Sequence, residues 1–535
     1  MGRSVRLGLA CLAVAATLIA AVWAWLGSPV PMPQGLTQGE KLYCISYAPF
    51  RGLQTPFDPN TRIPAAQIEE DLTQLAKMSE CVRIYSADQG LEQVAPIAQK
   101  LGLKVLQGFW ISNNAVKTAI QMEAAIDIAN RYPDTIRALV VGNEVLLRGD
   151  LSAPDLAAMI RAVKARVKVP VTYADVWEFW LRSRDVAAAV DFITIHILPY
   201  WEDFPIATGD AGAHVDLIRR QMAEAFAGKE VIIGEVGWPS AGRMREGALP
   251  SPANQARVIQ DVLELAKRDK VHVNVIEAFD QPWKRALEGT VGGHWGFFRD
   301  ADRAQKFEWG LAVSDHPHWP WQAAGGIAFA IVIFGAAWTW RRSDDVPLPL
   351  WLAVMGNAVA GGLLIGWTIA NVPLESLYVS GWLRSLVFAG VAVVAPIAFS
   401  MAMMRGTPLP RFSRLLGPTG ERERERLAVA IGGIAIAAML LSLIVALGLV
   451  FDPRYRDFPF APLVATAVPL LLHTLVMPRP SGARGAAELG GAVLLALSVP
   501  YILINETVAN WQSLWVCAAL AAIAVSLTQV RDARS

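Results

Sequence analysis

A chain of 535 residues is too long for one small domain, and 54% hydrophobic against 18% charged residues is too apolar for an ordinary soluble protein. Part of it belongs in lipid. With 48 Lys and Arg against 47 Asp and Glu, the net charge of +1 sets nucleic acid aside as a partner, because displacing phosphate counterions needs a basic face.

After Arg3 and Arg6, an uncharged run from Leu7 to Leu26 is long enough to cross a hydrocarbon core of about 30 Å. It exceeds the usual core of a signal sequence and no small-x-small site precedes Gly27-Ser28-Pro29, so an uncleaved anchor is expected over 1–27. Residues 28–320 then read as a globular domain, and 321–535 as a polytopic membrane domain.

Within the globular stretch, strand-like runs recur at Leu42–Tyr47, Val82–Tyr85, Lys104–Phe109, Ala138–Gly142, Val169–Tyr173, Phe192–Ile197, Val231–Ile233 and Val271–Phe279. Between them lie helical patterns at Ala65–Met78, Val116–Arg131, Pro154–Val167, Val215–Ala227 and Asn254–Arg268. Eight such alternations predict an α/β fold, a (β/α)8 TIM barrel, with one transmembrane helix before it and about seven after it. A doubly wound sheet would carry a glycine-rich phosphate turn after its first strand, and "CISYAPFRG" is not one.

In a barrel the chemistry sits where strands end. The fourth strand ends in Asn143-Glu144 and the seventh in Glu235, which places two carboxylates across the mouth. A glycosidase needs that pair, one to protonate the leaving oxygen and one to attack the anomeric carbon, and a spacing of about 5 to 5.5 Å implies retention through a covalent glycosyl intermediate. Asn143 is placed to donate to a substrate hydroxyl and Tyr200, in "HILPYW", to donate to Glu235. His196 reads equally as a packed imidazole or a ligand-binding group. Trp110, Trp177, Trp201, Trp238 and Trp283 fall at or after predicted strands, where flat rings can stack on sugars. The histidines are scattered and no His or Cys pair has zinc spacing, so no metal and no cofactor are expected. Cys44 and Cys81, near the starts of neighbouring strands, are compatible with a disulfide in an oxidising compartment; Cys11 and Cys517 lie in predicted spans.

Apolar runs return at Trp321–Trp340, Leu348–Ala370, Leu386–Met404, Ala428–Val450, Phe460–Met477, Leu489–Ile504 and Trp511–Leu527. If the N-terminus is cytoplasmic, Arg3, Arg6, Arg341, Arg342, Arg405, Arg411, Arg414, Arg422, Arg424, Arg426, Arg479, Arg484, Arg531 and Arg534 lie inside, and the outer loops keep chiefly Arg454 and Arg456. The globular domain would then face outward. Apart from His473 the spans are nearly free of ionisable groups, which argues against transport through them; anchoring with docking to a synthase, and glucan passage, both stay open.

"GNEV" followed by "GEVGWPS", with "ISYAPFRG", "VRIYSAD" and "EAFDQPWKRALEGTVGGHWGFF", resembles glycoside hydrolase family 17, the β-1,3-glucanases and β-1,3-glucanosyltransferases with a (β/α)8 fold. The resemblance runs from Lys41 to Leu311. It implies Glu144 as acid/base, Glu235 as nucleophile, and substrate contacts from Tyr47, Asn143, Tyr200, Trp238, Asp280, Gln281, Trp283, Lys284 and Glu288. Plant members carry a glutamate where this chain has Gln281, which can hydrogen-bond a sugar but adds no charge. The membrane-anchored form looks like bacterial proteins linked to periplasmic β-1,3/β-1,6-glucan synthesis. That likeness implies a multi-pass inner-membrane protein with a periplasmic barrel, and β-glucan, membrane lipid and a membrane glucan synthase as partners. The implied activity is transfer of a glycosyl unit from β-1,3-glucan to a glucan acceptor, by elongation or β-1,6 branching; the alternatives are an endo-β-1,3-glucanase and a non-catalytic glucan-binding scaffold.

Overall fold

The structure, a computed structural model, describes residues 3–37, 39–417, 423, 425–477 and 484–529. Arg422, Arg424, Arg479, Arg531 and Arg534 lie outside them. The chain divides into two compact units, Val30–Val313 and the combination of Met1–Pro29 with Ser314–Ser535.

The first unit is a closed barrel of eight parallel strands in chain order: β1 (Cys44–Ser46), β2 (Cys81–Ile84), β3 (Lys104–Phe109), β4 (Ile136–Asn143), β5 (Val171–Val176), β6 (Ile193–His196), β7 (Val231–Val236) and β8 (Val273–Val275). Alternation along each strand divides its residues between two cores. Ile45, Val82, Ile84, Val105, Leu139, Val141, Ile195 and Ile233 join the apolar layer under the outer helices. Leu106, Ala138, Val140 and Ala174 form an apolar floor inside the barrel, above which the interior turns polar: Thr172 and Thr194 pair at 2.8 Å, and Asn274 donates to Ser46 and to the Gly234 carbonyl.

The helices start where the sequence supplies caps. Asn114, Ser152 and Ser251 each accept from a backbone N–H three residues on, opening Ala115–Arg131, Ala153–Lys164 and Pro252–Asp269. The last β/α unit differs, carrying only short turns from Pro282 to Glu288. β8 is also shorter than Val271–Phe279, because beyond Val275 successive backbone N–H groups bond Val236, Trp295 and Ser46 in turn and follow no single neighbour. Cys44 and Cys81 form a disulfide across the starts of β1 and β2.

Among the described residues of the second unit seven helices are long and apolar enough to cross a membrane: Arg3–Leu26, Trp319–Thr339, Leu348–Glu375, Tyr378–Arg405, Arg426–Phe451, Ala486–Glu506 and Trp511–Thr528. The run at Phe460–Val476 forms a shorter apolar helix. Backbones approach closely where both partners are small, as at Gly326 against the Gly362 carbonyl. The helix from Ala486 starts earlier than the apolar run and includes Glu488, fully buried, paired with Arg484 at 3.1 Å and accepting from Gly485 N at 2.8 Å. This ion pair closes a helix end.

Candidate active site

Both carboxylates are turned into the barrel mouth by irregular backbone. Register shifts interrupt β4 between Val140 and Asn143 and β7 between Ile233 and Val236, so each strand carries an extra residue at its end. Gly142 adopts φ +81° and Glu144 itself φ +51°, a left-handed conformation costly for a residue with a Cβ. The Glu144 backbone N–H nonetheless stays tied to the Ala174 carbonyl of β5 at 2.8 Å.

His196, at the end of β6 and wholly buried, stands between them: Nδ1 is 2.8 Å from Glu144 Oε1 and Nε2 is 3.5 Å from Glu235 Oε1. Three donor atoms, one each from Glu144, His196 and Glu235, lie within 4.8 Å of one another. Such a set can hold a cation, yet the place is already served by Arg83 from β2, whose Nη1 lies 3.2 Å from both His196 Nε2 and Glu235 Oε1. Arg83 also donates to the Gly234 carbonyl at 2.7 Å and, through Nη2, to Asn143 Oδ1 at 2.6 Å. Tyr85, two residues on, donates to Glu235 Oε1 at 2.8 Å. Glu235 thus receives two donors, one of them charged, which fix its Oε1 in place.

Glu144 keeps 23% of its side chain open to the cleft. Burial acts to raise its pKa, but the hydrogen bond and charge of His196 and the charges of Arg148 and Arg83 outweigh it and hold the carboxyl below the ordinary glutamate range. Beyond β8, Glu277 is buried with both oxygens on Lys284 Nζ, at 2.9 and 3.0 Å; burial pushes it up to about 7 against the opposing pull of Lys284. Glu288 is raised by burial, and further by Glu144 and Glu235, against the pull of Lys284.

Several side chains expected at the substrate are engaged by other groups of the protein. Tyr47 is wholly buried and donates to Asp71 at 3.1 Å, on the helix side of the wall. Tyr200 donates to the Arg243 carbonyl at 2.8 Å, and the role expected of it at Glu235 belongs to Tyr85. Trp238 is fully buried against Tyr200, with Nε1 bonded to the Leu249 carbonyl, so it offers no face to a sugar. Gln281, also fully buried, spends its amide on the Ala48 and Phe279 carbonyls and accepts from Trp283 Nε1. Asp280 is buried under Lys306 and the Gly296 N–H; burial pushes it up, and Lys306 and His294 bring it below its ordinary range. Asn143 and Lys284 point toward the site but are engaged by Arg83 and Glu277. Trp283 stays half-buried at the rim against Phe50 and Phe57. Trp110, 39% exposed, lies under the Arg148 guanidinium at 4.2 Å.

Arg83 and Tyr85 lie in "VRIYSAD" and Glu277 opens "EAFDQPWK", where residue type alone marks none of the three for the site. Period two along β2 puts Arg83 and Tyr85 on one face at the rim, and that was the available signal.

Residues 44–296 match the BtgE/BtgC glycoside hydrolase domain. Among similar proteins, a glucan 1,3-beta-glucosidase of Candida albicans is 27% identical over 277 residues, 47% of this chain and 88% of its own length. One of the same description from Saccharomyces cerevisiae is 26% identical over 256 residues, 44% of this chain and 82% of its own. An active-site mutant of Rhizomucor miehei beta-1,3-glucanosyltransferase, solved in complex with laminaritriose, is 27% identical with a TM-score of 0.45, covering 50% of this chain and 98% of that one.

Proposed function

We propose, from a chain whose residues 44–296 match a BtgE/BtgC glycoside hydrolase domain, that the barrel is a retaining β-1,3-glucan glycosidase and transglycosylase with Glu144 as acid/base and Glu235 as nucleophile. One observation carries this reading: the two carboxylates reach within 4.8 Å across the mouth, close to the retaining spacing of about 5 Å and far from the inverting one. Glu235, held by Arg83 and Tyr85, attacks the anomeric carbon; its bond forms as the glycosidic C–O bond breaks and the Glu144 proton passes to the leaving oxygen. Glu144, now a carboxylate, takes a proton from water or from a sugar hydroxyl, whose oxygen displaces Glu235. Water gives hydrolysis and a sugar gives elongation or branching. Trp110 and Trp283 are open enough to stack on rings at the rim, and Glu288 lies close enough to feel both carboxylates.

The membrane assignment rests on the seven long apolar helices and on the arginines. With Arg3 and Arg6 inside, the barrel, threaded between the first two spans, faces the periplasm of a bacterial inner membrane, where a glucan synthase would supply its substrate.

The test is to incubate the full chain in detergent, and Glu235→Gln, with defined β-1,3-gluco-oligosaccharides and follow product length and linkage by mass spectrometry and NMR. Products longer than the donor, absent with the variant, establish transfer. Shorter products alone establish a hydrolase. None at all overturns the enzymatic reading in favour of a binding scaffold.

A further inference from the structure

Behind the strand that carries Glu144 lies a second buried carboxylate with no part in the chemistry above. Asp175 sits on β5 beside Ala174, the residue whose carbonyl receives the Glu144 N–H. Tyr173 and Asp175 share one face of β5, and Tyr173 packs in the apolar layer outside the barrel while Ala174 points within. Asp175 is wholly buried, so no substrate reaches it.

Its oxygens are engaged from its own strand and from the turn after Glu144. Oδ1 accepts from Val176 N at 2.8 Å; Oδ2 accepts from Leu146 N at 3.2 Å, from Leu147 N at 3.4 Å and from the Tyr173 hydroxyl. The same hydroxyl accepts from Leu146 N at 3.0 Å. These bonds hold the short turn Val145–Arg148 immediately after Glu144, whose φ of +51° needs outside support. The charged and titratable groups facing Asp175 are Tyr173 from its own strand, Glu144 from β4 and His196 from β6; Arg83 and Arg148 stand beyond, around Glu144.

We propose that Asp175, braced by Tyr173, is a positioning residue for Glu144: it fixes the left-handed turn that aims the carboxyl into the cleft, and its negative charge helps keep on Glu144 the proton that the leaving group takes. The inference rests on the acid/base reading of Glu144. It bears on a difficulty in that reading, since His196, Arg148 and Arg83 hold Glu144 low even with Asp175 in place, whereas a general acid needs its proton near neutrality. A neighbouring carboxylate works in the opposite direction. Burial, and then the charge of Glu144, push Asp175 up to about 6 against its hydrogen bonds, so near pH 7 it carries the charge required.

The experiment compares two substrates of the full chain in detergent: a laminari-oligosaccharide, whose leaving group needs a proton, and 2,4-dinitrophenyl β-laminaribioside, whose first-turnover release of dinitrophenolate does not. For Asp175→Asn the alkaline limb of the kcat/KM profile on the oligosaccharide moves about one pH unit toward acid, while first-turnover release stays within about threefold of the parent. A limb that stays in place, or an equal loss on both substrates, overturns the proposal. Glu144→Gln separates the two levels: it loses the oligosaccharide and keeps the activated substrate if Glu144 is the acid. Equal loss on both removes that assignment and the role of Asp175 with it; retention by Glu144→Gln beside an unmoved limb in Asp175→Asn overturns the positioning role alone. Should Asp175→Asn fail to fold, Tyr173→Phe carries the test, since it keeps the carboxylate and drops only the brace. Its kcat on the oligosaccharide falls about tenfold with KM unchanged, and a parental kcat overturns the proposal.

Discussion

Arg83 is the residue on which the rest of the site converges. Its side chain is 1% exposed and joins β2 to Glu235, His196, Asn143 and the Gly234 carbonyl, so its removal strands a buried carboxylate. Arg83→Met should therefore lower kcat/KM on laminari-oligosaccharides by about a hundredfold or more and destabilise the barrel by roughly 3 kcal/mol. Steady-state rates and thermal unfolding check both. Tyr85→Phe removes one hydrogen bond to the same oxygen and should cost only about tenfold in kcat, with stability little changed. Glu277 makes the pH prediction. Its folded pKa of about 7 lies above the ordinary glutamate value, so between the two the folded state holds a proton that the unfolded state has lost. Its contribution to stability is then greatest at acid pH and declines as pH rises from about 4.5 to about 7. Glu277→Gln should flatten that part of the stability profile in denaturation measured across the range, and a slope unchanged from the parent refutes the assignment.

At the level of strands, the extra residues at the ends of β4 and β7 do what a regular strand cannot, putting consecutive residues where the mouth needs them. The segment after Glu235 secures this geometry. A Cβ on Gly237 would lie 2.2 Å from the Ile276 carbonyl oxygen; Trp238 is anchored to Leu249, and Ser240 bonds the His294 carbonyl through N–H and hydroxyl alike. Gly237→Ala should push β7 off β8, lowering stability by at least about 2 kcal/mol and kcat together, as followed by thermal unfolding and rates. The Cys44–Cys81 disulfide acts at the opposite rim. It closes a separation of 37 residues, and replacing both cysteines by serine should cost roughly 2 to 4 kcal/mol while leaving kcat intact well below the melting temperature. Urea denaturation followed by tryptophan fluorescence, with rates at low temperature, tests the two halves of that statement.

For the whole chain, the prediction concerns sidedness. Reporter fusions after Arg342 and after Asn510 should show a cytoplasmic first site and an outward second one, given Arg3 and Arg6 inside and eight crossings, the seven long apolar helices together with the shorter Phe460–Val476. Activity of a periplasm-only reporter after Arg342 refutes that arrangement.

Periodicity and hydropathy are properties of neighbouring residues, so the eightfold alternation, the long apolar runs and the placing of Glu144 and Glu235 at strand ends were all readable in the sequence. Contacts between residues distant in the chain were not. Glu235 is held by residues 150 and 152 positions away, and only closure of the barrel brings Tyr85 and Arg83 to it. The same closure buried Tyr47, Tyr200, Trp238 and Gln281, which strand-end position or the family resemblance had offered as sugar contacts. A strand's period predicts which side of the wall a residue faces as long as the strand is regular; at β4, β7 and the end of β8 it is not, and there tertiary packing decided which groups meet the cleft and which became the structure that holds it.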